Sequence, residues 1–400
     1  MTDRWSLSDL VARVGAGLHL AGPPDGEATL QRAARALWCV LAEPGDGVAG
    51  ALRRAYGPVE AYHRVVLRNE VAAAAAATGL PRDALVEAQR RWRPRLTADA
   101  LTEPFRRAER VGARLLTPED ADWPLALDDL EDHAPACLWV RGDPRALTRP
   151  AGSIALVGAR AATSYGEHVA GEFAAGIVGA GAVVVSGAAY GIDGAAHRAA
   201  LASRGVTVAF LAGGCDRLYP AGNADMLERM VRTGAVVGET PCGAAPTRWR
   251  FLARNRLIAA LAGATVVVEA GARSGSLNTA GHAAALGRPL GAVPGPVTSA
   301  ASVGTHRMLR DFDARCVTTP AEALELIGHG APETLDLGEW TGESTRLRDA
   351  LSRRVFRDAA TLAASSGLSI GEVEGMLGML LLEGVVEHAG AGWRRRPGTE

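Results

Sequence analysis

Lysine is absent from this chain, so all 43 Lys+Arg positions are arginine. Arginine suits planar, bidentate phosphate contacts, but so uniform a bias reads as genome composition rather than function. Excess charge is also missing. The net charge of −1 excludes a globally basic nucleic-acid binder, and any such contact must come from a local patch. The five cysteines (Cys39, Cys137, Cys215, Cys242 and Cys316) form no CxxC pair and meet no histidine cluster. That argues against a disulfide framework and a metal site, and favours a reducing compartment with the thiols packed as small hydrophobes. No apolar run approaches the ~20 residues of a membrane span, and Met1–Asp3 does not open a signal-peptide pattern. A cytoplasmic protein is expected. No GxGxxG follows the first α/β strand and no acid stands where a ribose hydroxyl would need one, which weakens a dinucleotide enzyme. No GxxxxGK[ST] exists to hold a nucleoside triphosphate.

What is present has the balance of a globular protein, with 48% hydrophobic and 22% charged residues, and 400 residues imply two or three domains. Residues 1–110 read as helical and alanine-rich. Leu30–Leu41 and Arg64–Ala77 have helical apolar spacing, punctuated by Pro44-Gly45 and Gly57-Pro58. From Ser153 short apolar runs recur: Ile154–Val157, Val183–Val185, Val206–Leu211, Ala235–Val237, Thr265–Val268 and Leu290–Val293. Helical stretches (Gly166–Val178, Asp193–Ala202, Ala224–Val231, Leu277–Leu286) alternate with them. This pattern predicts a doubly wound parallel sheet of Rossmann-like type over residues 111–327. A linker at 328–342 precedes a tail, 343–397, with helical patterns at Ser344–Leu351, Ala359–Ser365 and Ile370–Glu383. A hairpin over Gly384–Arg394 closes it, the arrangement of a winged helix.

Ligands of open α/β sheets sit beyond the carboxyl ends of the strands, so the turns there matter most. The first runs from Gly158 to Gly166. Gly158 allows close backbone approach to a phosphate, Arg160 can pair with it, and Thr163 or Ser164 can cap the next helix, whose N-terminus is itself an anion site. An ordinary capped turn explains these residues about as well. In the second turn Gly187 and Gly191 bracket a tight loop after Ser186, and Asp193 can cap the helix carrying His197. That histidine is read as a hydrogen-bonded helix residue. Gly213-Gly214 forms a third turn. The fourth, Arg273–Thr279, presents Ser274, Gly275, Ser276 and Thr279 as an oxyanion cradle.

The most informative stretch is Arg248–Ile258. Four arginines within nine residues (Arg248, Arg250, Arg254 and Arg256) are interleaved with Trp249 and Phe251 and followed by Asn255. Cations beside flat rings are how single strands are held without reading sequence. The plainer alternative is a solvated helix face, although Leu257–Leu261 requires a buried continuation.

At this point the residues resemble a known family, the DNA-processing protein A (DprA, or Smf) family. The resemblance rests on Val157-Gly158-Ala159-Arg160, Ser186–Asp193 with His197, Tyr219-Pro220 with Asn223, Glu239, and Phe251 with Arg254–Ile258. It continues through Glu269, Arg273–Ser276 with Thr279, and Val293-Pro294-Gly295. Trp123-Pro124 and Leu138–Gly142 look like the family's entry to its α/β domain. The resemblance implies an extended Rossmann fold that binds single-stranded DNA, protects it and helps load the RecA recombinase during natural transformation. It further implies a homodimer, a SAM-like helical N-terminal domain, a winged-helix tail, no cofactor and no catalytic residue. Two departures stand out: Ala159 where the family often has serine, and Tyr190 where a basic residue is frequent.

Two rivals remain. A nucleotide phosphoribohydrolase of a related Rossmann family would need a glycine-glycine-x-glycine-threonine loop with a nearby acid. Arg273–Ser276 occupies that place, and no acid lies between it and Leu286. Glu239 and Glu269 end strands and could be paired acids, but no nucleophile is spaced near them. A transcriptional regulator would read DNA with Ile370–Glu383, yet that segment carries Glu372, Glu374 and Glu383 and no arginine. Such a face repels phosphates, which leaves protein contact as its expected use and Arg394–Arg396 as the nearest basic feature.

Overall fold

The computed structural model describes residues 6–14, 26–149, 152–330, 342–390 and 392–396. It divides into two units, residues 1–331 and 332–400.

The first unit is organised on a nine-stranded sheet: β1 (Arg114–Leu116), β2 (Leu138–Gly142), β3 (Ser153–Val157), β4 (Val183–Ser186), β5 (Thr207–Leu211), β6 (Ala235–Gly238), β7 (Ala264–Val267), β8 (Leu290–Ala292) and β9 (Arg315–Cys316). The spatial order is β1-β2-β6-β5-β4-β3-β7-β8-β9. β3 to β9 run parallel, whereas β1 and β2 form an antiparallel edge on β6. All six apolar runs are strands. Both faces of the sheet are covered, so the two-residue period shows in packing rather than in polarity. Ile154 and Leu156 pack on one face with Phe173 and Ile177, whereas Ala155 and Val157 pack on the other with Leu257 and Ile258.

From β3 the chain winds outward through β4, β5 and β6, then returns to place β7 on the other side of β3. The switch point therefore lies between β3 and β7, where a crevice opens beyond the strand ends. The first and fourth turns flank it. The N-terminal helices do not stand apart from this sheet: Trp38, Tyr62, Leu85 and Trp92 share a core with Trp139 of β2, Ala209 of β5 and Val236 of β6. The alanine-rich segment is a helix over Val71–Thr78, preceded by a π-helical turn at Tyr62–Leu67.

The second unit has helices at Glu343–Ala350, Ala359–Ser366 and Ile370–Leu382, then an antiparallel pair, β10 (Val386–Ala389) and β11 (Gly392–Arg395). Its core is built from Leu347, Leu362, Val373, Leu377, Leu380 and Val386. Ser369 and Glu372 close a reciprocal capping box on the third helix. Most of the expected 328–342 linker lies outside the described residues.

Candidate nucleic-acid interface

A cleft of about 870 Å³ opens at the switch point. Its walls are the turn after β3, the turn after β7 and the helix Arg248–Leu261.

The first turn is built from below. Glu269, buried at the end of β7, accepts from the backbone N–H of Thr163 at 2.9 Å and from its hydroxyl at 2.5 Å, and the Thr163 hydroxyl oxygen in turn caps Gly166. Gly158 is required because a Cβ there would strike Ile192 and the Glu269 carbonyl. Gly191, with φ of +74°, lies against the carbonyls of Ala159 and Arg160, where no side chain fits. The two glycine turns are thereby stacked. Arg160 projects from them into solvent with its guanidinium 4.7 Å above the ring of Phe251, and Phe251 meets Tyr219 at 6.0 Å.

Arg254 forms the floor. It is 6% exposed, donates to the Phe210 carbonyl, and leaves its Nε without a hydrogen bond among the described residues. Burial pulls its pKa down to about 10, an effect offset by Asp193 and reinforced by Arg160. It remains charged at neutral pH. Gly187 has no side chain because a Cβ would fall on this guanidinium. Asp193 accepts from the N–H groups of Gly187 and Ala189, and burial raises its pKa against the opposing pull of Arg254. On the opposite wall Ser274 and Ser276 bond each other at 2.7 Å, and Thr279 is buried behind them. Asn255 reaches the carbonyl of Gly275 and the side chain of Asn278, tying the arginine helix to this turn.

Of the four arginines in the Arg248–Ile258 stretch, the structure brings two to the cleft. Arg248 and Arg254 line it with Phe251, Leu252, Asn255 and Ile258, a set at three- and four-residue spacing that defines one helix face. Arg250 and Arg256 point elsewhere, which corrects the expectation that all four arginines of this stretch serve one strand-holding surface. Arg256 makes a bidentate pair with buried Glu239 at 2.6 and 2.7 Å and donates to the carbonyls of His133 and Ala253. Arg250 holds Glu43 of the helical region at 2.9 Å. Ser186 is wholly buried and donates to the Leu156 carbonyl at 2.6 Å, so it supports the sheet beneath the turn. Arg273, absent from the candidate set drawn from the sequence, also lines the cleft. Its position immediately before Ser274 was the available signal. Arg160, Arg248 and Arg273 are all exposed, and none has a carboxylate partner among the described residues.

Neither candidate acid faces the cleft with a free carboxylate, since Glu239 holds Arg256 and Glu269 holds the first turn. His197 is fully buried, with Nδ1 2.7 Å from the Thr207 hydroxyl. Because that hydroxyl donates to the Val184 carbonyl, the imidazole must donate from Nδ1 and serves the fold. Among the described residues no group of three or more His, Cys, Asp or Glu could hold a metal ion, and no helix is long and apolar enough to cross a membrane.

A family model described as DNA recombination-mediator protein A matches residues 114–328, from the first residue of β1 through the helix Pro320–Glu325 that follows β9. The chain belongs to this family. A relative, the putative DNA processing protein DprA of Mycobacterium tuberculosis, is 43% identical over 381 residues, 88% of this chain and 92% of that one. Protein Smf of Escherichia coli is 38% identical over 217 residues, 54% of this chain and 57% of its own. The X-ray structure of DNA processing protein A from Streptococcus pneumoniae aligns with a TM-score of 0.59 at 28% identity, covering 74% of this chain and 97% of that chain. Every cleft-lining turn lies within the segment that the recombination-mediator family model matches.

Proposed function

We propose that this DNA-processing family member holds single-stranded DNA in the switch-point cleft, without catalysis. The observation that carries the reading is the charge of that cleft. Among the described residues Arg160, Arg248 and Arg273 stand on its rim without carboxylate partners, above a buried Arg254 whose charge Asp193 opposes. Such a site is electrostatically incomplete until an anion enters. Phosphates would sit among these arginines and the Ser274–Ser276 turn, and unpaired bases would meet the exposed ring of Tyr219 and the Arg160 guanidinium stacked on the half-buried Phe251.

The family resemblance extends the proposal. The protein would protect incoming or recombining strands in the cytoplasm and help load RecA, acting as a homodimer in natural transformation. In this reading residues 1–110 are a SAM-like helical domain, 111–327 the DNA-binding domain and 343–397 a winged helix. The acidic third helix of the tail, with Glu372, Glu374 and Glu383, supports protein rather than DNA contact there.

Arg160→Ala tests the placement. A lost charge-assisted contact should weaken single-strand binding by about 1.5–3 kcal/mol, with the melting temperature unchanged because the side chain is exposed. Unaltered affinity at moderate salt would put the phosphate site elsewhere.

A further inference from the structure

On the far side of the arginine helix lies a second, more apolar groove of about 630 Å³. Trp249 forms one wall, 60% exposed, although the next residue toward the N-terminus, Arg248, lines the phosphate cleft. The opposite wall is the helical region: the Pro44–Val48 segment and Leu80. The first turn of the arginine helix is thus a ridge between two depressions of different chemistry.

Among the described residues lining the groove none is a cation free for a phosphate, His133 having its Nδ1 on the Gly45 carbonyl. Glu43 is paired with Arg250 and Arg95, Asp46 with Arg91, and Asp132 with Arg54. All three carboxylates line the groove, and the one arginine in the lining, Arg91, is spent on Asp46. A phosphate would enter against three acids. An uncharged, flat group would lose nothing, and it would cover the exposed face of Trp249 together with Val48 and Leu80.

We propose that this groove takes a nucleobase of the same single strand, stacked on Trp249, while the neighbouring phosphates remain with Arg248 and Arg160 in the cleft. The proposal rests on the single-strand reading above and deepens it. The helical region becomes the second wall of a base site, and binding is divided between a charged cleft and a nearly charge-compensated groove. Continuity across one helical turn is what selects a base of the bound strand as occupant, since adjacent residues of the ridge face the two sites.

The test measures equilibrium binding of the full chain to a fluorescein-labelled deoxythymidine oligonucleotide across a salt series. Trp249→Ala should weaken binding by about 5- to 100-fold, the range for losing one base–aromatic stack, without changing the slope against salt, because no phosphate contact is lost. Trp249→Phe should keep most of the affinity. Replacing the central nucleotides by abasic ones should cost the unaltered protein more than it costs Trp249→Ala, which keeps only the stacking at the cleft. If Trp249→Ala binds like the unaltered protein while Arg160→Ala does not, the base site is wrong and the single-strand reading stands. If neither variant changes binding, the reading itself fails. A flattened salt slope in Trp249→Ala would show that the tryptophan only positions phosphate contacts, which also overturns the base site. Equal losses on abasic and complete strands would point to a protein or intramolecular occupant and overturn it too.

Discussion

At the residue scale, side chains of one chemistry have been divided between holding the fold and facing the cleft. Arg256 and Arg160 carry the same charge, yet one is locked on Glu239 with its side chain 6% exposed and the other projects into solvent. Arg256→Ala should therefore cost about 3–5 kcal/mol of stability, since it leaves Glu239 buried and unpaired. Chemical denaturation of the variant measures this, and a loss below ~1 kcal/mol would refute the bracing role. His197 makes a second prediction. Burial, aided by Arg254 and Arg198, pushes its pKa down to about 3. The unfolded chain takes up a proton near pH 6.5 while the folded one does not, so the stability from this group is complete above about pH 6.5. It is lost progressively as pH falls toward 3, by up to ~1.4 kcal/mol per unit. Urea midpoints at pH 7 and pH 5 should fall with acid, and His197→Gln should show a shallower fall. An equally steep decline in the variant would exclude the imidazole as its source.

At the scale of elements, the glycine turns are stacked parts rather than separate loops. Gly187 underlies Arg254, Gly191 underlies the first turn, and Glu269 ties that turn to β7. Gly187→Ala should therefore act through Arg254, pushing the guanidinium off the cleft floor. The expected loss of single-strand affinity is about tenfold or more, accompanied by a lower melting temperature. Retained affinity would show that Arg254 is no part of the site. These turns were legible in the sequence because glycine before a helix has few other uses at a strand end. The six central strands were legible because burial on both faces leaves an unbroken apolar run. The edges were not. β1 and β9 are three and two residues long, and β2 finds its partner β6 almost a hundred positions away. The arginine helix was half legible. Its composition announced a phosphate surface, but the helical spacing of Arg248, Phe251, Leu252 and Asn255 sorts them from Arg250 and Arg256. Of the acids that claim the latter two, Glu43 lies 207 positions from Arg250, and Glu239 was marked in the sequence as a strand-ending acid but not as the partner of Arg256.

For the whole molecule, a net charge of −1 and a basic cleft are compatible because many arginines are spent on acids, leaving a local excess at the switch point. Arg394 of the tail illustrates the spending, since it pairs with Glu387 and lies over Phe356. A chain ending near Gly330 should accordingly keep most of its single-strand affinity while losing the acidic Ile370–Leu382 helix. A large loss from a folded truncation would assign DNA contact to the second unit. The most direct test of the central claim is a salt-titrated binding measurement on the intact chain, with single- and double-stranded DNA of equal length. The account predicts tighter binding of the single strand, little dependence on its sequence, and a slope against salt that flattens by roughly 0.7 per lost phosphate contact in Arg160→Ala. Equal or tighter binding to the duplex, or strong dependence on one short sequence, would contradict it.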